Sequence, residues 1–182
     1  MAHTTPAATA PAAASRRTGS RAAKPAARKR TPDLIVQLKA DHREVSALHK
    51  AYEELLQKKA GAKARGELAA RICQALTVHA TAEEEVLYRA LRSAIDADDL
   101  LDEADIEHAS AMDLIAQIEA LHPDDDRYDA RVIVLCEYVK HHVKEEEGEM
   151  FPKARQCAEL DLKAMGEAFA QRKAELEAEL AE

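Results

Sequence analysis

Two stretches of the chain place a histidine four residues before a glutamate: His79-Ala-Thr-Ala-Glu83 and His142-Val-Lys-Glu-Glu146. Each is followed, five residues after the glutamate, by an aromatic residue, Tyr88 and Phe151. On a helix, positions i and i+4 stand on one face about a turn apart, so each stretch can present an imidazole and a carboxylate to a single point. Such a pair is a ready-made cation ligand. Ahead of each stretch lies another histidine directly after an acid, Asp41-His42 and Glu107-His108. The unit of one histidine followed by HxxxE thus occurs twice, which makes His42, His79, Glu83, His108, His142 and Glu146 the candidate metal ligands.

Four imidazoles and two carboxylates suit two ions better than one. A pair of six-coordinate ions offers about twelve positions; four imidazoles fill about four, two bridging carboxylates fill about four more, and about four stay open for water, an oxo or hydroxo bridge or a small ligand. The same six residues buried without a cation would leave costly unpaired charge. Other polar residues nearby read differently. His49 faces the same seam but has no HxxxE partner, and packing explains it. His141 and Glu145 lie about 100° round the helix from the ligand pair and belong to a solvated face, while His3 and His122 have no partners. Asp105, three residues before His108, is placed to accept that ring's second proton, and Tyr138 lies one turn before His142. For Tyr52, Tyr88 and Tyr138, packing in the core is the simpler expectation.

The elements that must position these residues are helices. Aromatic residues make up only 3% of the chain and hydrophobic ones 47%, so the core must be built from Leu, Ile, Val and Ala, a composition that favours helices over sheets. Thr31-Pro32-Asp33 supplies an N-cap, a proline at the first helical position and an acid in the first turn. A seam then runs through Ile35, Leu38, His42, Val45, His49, Tyr52 and Leu56 in steps of three and four. After a break at Gly61 and Gly66, a second helix of about 27 residues carries Leu68, Ile72, Leu76, His79, Glu83, Val86 and Ala90 on one face. A third carries Leu101, Ala104, His108, Ala111, Ile115 and Ile118 and stops at His122-Pro123. The fourth starts near Asp125 to Asp129 and carries Val132, Leu135, Tyr138, His142 and Glu146. Short connections make this an all-α, up-down-up-down four-helix bundle over residues 31–156. Residues 157–182 form an extra C-terminal helix packed outside it.

Residues 1–30 carry seven basic residues, no acid and no Leu, Ile, Val or aromatic residue, so they are expected to be a disordered basic tail. The remaining 19 basic and 34 acidic residues give the body a charge of −15. Phosphate contact by the tail would be non-specific and salt-sensitive, since nothing in it stacks on or reads bases; a solvated tail or one folded back on the acidic body is the simpler expectation. Cys73, Cys136 and Cys157 form no CxxC pair and encode no disulfide framework. With no apolar run of bilayer length, the chain is expected to be cytoplasmic with no membrane contact.

The set His42, His79-xxx-Glu83, His108 and His142-xxx-Glu146 resembles the hemerythrin-like, or HHE cation-binding, family over about residues 33–155. That resemblance implies a non-haem di-iron centre with bridging carboxylates; iron rather than manganese or zinc comes from the resemblance alone. Two features depart from the oxygen-carrying hemerythrins, which have a fifth histidine where this chain has Met112 and a longer histidine-to-carboxylate spacing in the last helix. Neither ExxH nor HExxH occurs, which counts against ferritin-like carboxylate proteins and zinc proteases. The expected function is a sensor or scavenger of O2, NO or peroxide rather than an enzyme. An oxidase or peroxidase, or an iron storage or transfer protein, are the alternatives.

Overall fold

The computed structural model describes residues 1–3 and 31–181, and the basic tail of residues 1–30 lies almost wholly outside them. Five helical rods make up the fold. The first is α1 (Leu34–Gln57) and the second is α2 (Ala62–Glu83), which passes through one π turn (Glu84–Tyr88) into α3 (Arg89–Ala94). After α4 (Asp98–Glu119), α5 (Tyr128–Glu145) passes through a second π turn (Glu146–Met150) into α6 (Phe151–Gln156), and α7 (Leu162–Glu179) closes the chain. No helix among the described residues is long and apolar enough to cross a membrane.

Two details of the helix boundaries differ from the sequence expectation. Asp33, not Thr31, caps α1: its carboxylate accepts the Val36 amide at 2.9 Å, the N3 position that a short acidic side chain reaches from the cap. Gly66 is not a break but lies inside α2, where an added Cβ would come 2.6 Å from Cγ of Pro123. Small size, rather than backbone freedom, is what the fold uses there.

The rods pack as a ring in which α1 touches α2 and α5, and α4 touches α5 and α2. The buried apolar residues divide into two clusters. One holds Leu34, Ile35, Leu38, Leu87, Leu91, Leu101 and Phe151; the other holds Val45, Leu48, Tyr52, Ile72, Leu76, Ile115, Val132 and Leu135. Along α1, His42 falls between Leu38 of the first cluster and Val45 of the second, so the polar seam residues form a layer between two greasy ones. Tyr52 belongs to the lower cluster, its hydroxyl donating to Asp129 at 2.6 Å, and Arg65 clamps the same carboxylate.

Helix α7 packs on α1 and α2 from outside. Its fully buried Phe169 joins the upper cluster, a burial that contributes about 2–3 kcal/mol. Close approach is possible because position 166 is glycine: a Cβ there would lie 2.5 Å from the Pro32 carbonyl oxygen. The carbonyl of Gly166 accepts from Gln37 at 2.8 Å, which ties α7 to the start of α1.

Candidate metal centre

All six residues picked out by spacing meet in the polar layer, and all are buried. Two histidine pairs face each other: His42 and His79 have ring centroids 5.0 Å apart, His108 and His142 4.7 Å. Each pair draws one ring from each of two adjacent rods. The two carboxylates lie between the pairs. Oε2 of Glu83 is 3.2 Å from His79 and 4.0 Å from His108, while Oε2 of Glu146 is 3.2 Å from His42 and 3.5 Å from His142. Neither carboxylate belongs to one pair alone, which is the placement a bridging ligand needs. Two groups of ligand atoms result, His42–His79–Glu146 and Glu83–His108–His142, each within 4.8 Å.

Every imidazole is held from behind. Nδ1 of His42 lies 3.0 Å from Glu147, that of His79 3.3 Å from Asp41, that of His108 2.8 Å from Glu84 and that of His142 2.6 Å from Glu107. A carboxylate at Nδ1 fixes the proton there and leaves the Nε2 lone pair facing inward, the arrangement by which metal-binding histidines are oriented. The acids that precede His42 and His108 in sequence therefore serve the histidine of the neighbouring rod. Asp105 does not hold His108: its carboxylate is drawn outward to Arg92 at 2.6 Å, and Glu84 takes the ring.

Five residues after Glu83 would be about 140° round an α-helix. The π turn between them over-rotates the backbone and returns Tyr88 to the face of the carboxylates, and the turn after Glu146 does the same for Phe151. Such turns concentrate at functional sites. Phe151 stacks on His42 with centroids 5.6 Å apart, and Tyr88 stacks on His108 at 5.2 Å. Tyr88 is more than packing: its hydroxyl donates to Glu146 at 2.8 Å. The repeated five-residue spacing was the signal for it, but only the backbone shows why the ring turns inward.

The remaining polar residues sort by contact. His141 pairs with Glu145 at 3.1 Å on the outer face. His49 stays behind the layer in a cavity of about 110 Å3 that it shares with His42, Ser46, Cys136 and Val139. Met112 packs with the lower apolar cluster and accepts a contact from the Thr77 hydroxyl. Cys73 and Cys136 are buried free thiols, both pushed up to about 12 by burial.

The charges of the layer demand a cation. Both oxygens of Glu83, Oε2 of Glu146 and Nε2 of His42 are buried with no hydrogen-bond partner. Leaving a carboxylate in that state costs several kcal/mol. Protons respond to the same field. Burial opposes charge on His79, yet Glu83 and Asp41 push its imidazole up to about 10; burial likewise opposes charge on His142, which Glu146 and Glu107 push up to about 9. Burial alone would raise the Glu146 carboxyl, but the imidazoles of His142 and His42 beside it hold it well below the usual carboxylate range. The residues thus fit a pair of divalent or trivalent ions, with protons standing in on His79 and His142 when no metal is bound.

A family model, that of the hemerythrin HHE cation binding domain, matches residues 33–154. The chain belongs to this family. Its match runs from the cap of α1 into α6 and contains all six candidate residues, whereas α7 lies beyond it. The fold is shared with the crystal structure of a hemerythrin HHE cation binding domain-containing protein from Mycobacterium kansasii, with a TM-score of 0.67 and 22% identity over 81% of this chain and 89% of that one. A DNA nickase from Nostoc sp. is 34% identical over 125 residues, 68% of this chain. This HHE chain spans only 34% of the length of that relative.

Proposed function

We propose that this HHE protein holds two iron ions between its histidine pairs and offers them to a small ligand such as O2, NO or peroxide, as a cytoplasmic sensor or scavenger. The observation that carries the reading is a cavity of about 30 Å3 lined by all four candidate ligand histidines. The rest of the lining is Val45, Ala111, Tyr138, Val139 and Val143, with Glu107 behind His142. Its volume suits one water-sized or diatomic molecule, and its apolar wall favours an uncharged guest over an ionic one. The larger cavity beside it shares His42, Val45, Val139 and Val143 and reaches out to Ser46 and Lys140, which gives a small molecule a route in. Iron in this place would supply open coordination positions and redox chemistry. The chain's residues supply the rest: four inward Nε2 atoms, two carboxylates that span the pairs, and a lining that keeps bulky molecules out.

Anaerobic titration of the iron-loaded protein with NO tests the reading. It predicts a change in the visible spectrum for the parent and a much slower one for Val139→Trp, whose indole would fill the route. Equal rates in both would remove this cavity from the account.

A second reading, turnover of peroxide as an enzyme, is favoured by Tyr88. Burial beside Glu83 and Glu146 raises its hydroxyl far above the usual phenol range, so it stays a proton donor at the centre. Steady-state consumption of peroxide, abolished in Tyr88→Phe, would establish that reading.

A further inference from the structure

The two halves of the centre look alike in ligands but not in what stands behind them. On the His42–His79 half, both outer carboxylates carry a lysine. Lys173 of α7 grips Asp41 with its ammonium 2.7 Å from each oxygen, and Lys39 lies 3.1 Å from Glu147. On the His108–His142 half, neither Glu84 nor Glu107 has a lysine or arginine partner among the described residues. The geometry follows the charges. Asp41, shared with Lys173, stands 3.3 Å from His79, whereas the unshared Glu107 comes within 2.6 Å of His142.

A carboxylate behind a ligating histidine raises the ring's basicity and so its hold on the metal. An ammonium on that carboxylate takes part of its charge back and adds a positive charge to the neighbourhood of the ion, both of which weaken binding. The Lys173 pair is the stronger lever. Its side chains are 23% and 14% exposed, against 36% and 34% for Lys39 and Glu147, and a more exposed pair is more screened.

Resting on the two-metal reading above, we infer that Lys173, with Lys39 in support, acts through Asp41 and Glu147 to make the His42–His79 metal position the weaker and more labile of the two. Lys173 stands outside the segment matched by the family, so α7 tunes a centre to which it contributes no ligand. The two ions then leave at different rates, and the second half keeps its metal when the first is empty.

Anaerobic release of Fe2+ from the full-length protein to a colorimetric chelator tests this, with Mössbauer spectra of the same samples loaded with 57Fe. The parent should lose its two ions in two steps and show two distinct doublets. Lys173→Met should slow the faster step by about tenfold, leave the slower one unchanged and bring the doublets together. Lys39→Met should act in the same direction but less, and Lys173→Arg should behave as the parent. Arg172→Ala is the control for loosened docking: it breaks the pair of α7 with Glu85, 2.7 Å long, without touching Asp41. A faster first step in Lys173→Met, an unchanged one, or the same change in Arg172→Ala would overturn the assignment. A parent that binds fewer than two ions would overturn the two-metal reading, and this inference with it.

Discussion

The hydroxyl of Tyr88 stands 2.8 Å from the carboxylate of Glu146, on a different rod, and no equivalent bond exists in the other half because Phe151 takes the matching place. Apart from the lysines behind one half, the aromatic residues on the two halves differ by a single oxygen.

Tyr88→Phe removes that oxygen. The ring keeps its stacking on His108, so the bundle should fold and keep two metal ions per chain. In the metal-free protein Glu146 loses a neutral donor, which should cost about 1–2 kcal/mol of stability, measured by denaturant unfolding. A metal content that falls with the substitution would make Tyr88 a ligand instead.

Protons and metal compete for the same Nε2 atoms. With His79 raised to about 10 and His142 to about 9, metal binding at neutral pH should release about two protons; calorimetry in buffers of different ionisation enthalpy counts them. The sign for stability follows. Groups raised in the folded state stabilise fully below their unfolded pKa, near 6.5, and lose that contribution as pH rises through the folded values. The melting temperature of the metal-free protein should therefore fall between about pH 6.5 and 10, while the loaded protein, holding metal at Nε2, should change little and melt higher throughout. Parallel pH profiles would contradict this.

The tail of residues 1–30 brings seven positive charges and no acid. Phosphate contact through the tail remains a proposal with a direct check: titration of duplex DNA at low and moderate salt with full-length protein and with a version starting at Thr31. Any binding should be confined to the full-length form and weaken steeply with salt. Equal, negligible binding by both would remove nucleic acid from the partners.

Much of this site was legible in the residues alone because an i, i+4 pair defines one helix face wherever the helix lies. The six candidate residues and the bundle rest on that periodicity. What surrounds them was not legible in the same way. Glu84 and Glu147 follow the inward glutamates directly, so they point about 100° away, and only the rod they face shows that they reach His108 and His42. Asp105 was on the right helix turn but Arg92 outcompetes the imidazole for it. The π turns are a backbone property with no residue signature, and without them Tyr88 reads as ordinary packing. Lys173 lies far along the chain from Asp41, and nothing but the docking of α7 joins them.

Metal content of protein purified in air, taken with its absorption spectrum, tests the central claim most directly. About two iron ions per chain with near-ultraviolet charge-transfer bands of an oxo-bridged ferric pair are expected, and Glu83→Ala or Glu146→Ala should sharply lower that content because each carboxylate spans both histidine pairs. His49→Ala and His141→Ala should retain it. Full metal content in both glutamate variants, or a folded parent that takes up no more than one ion when reloaded, would contradict the account.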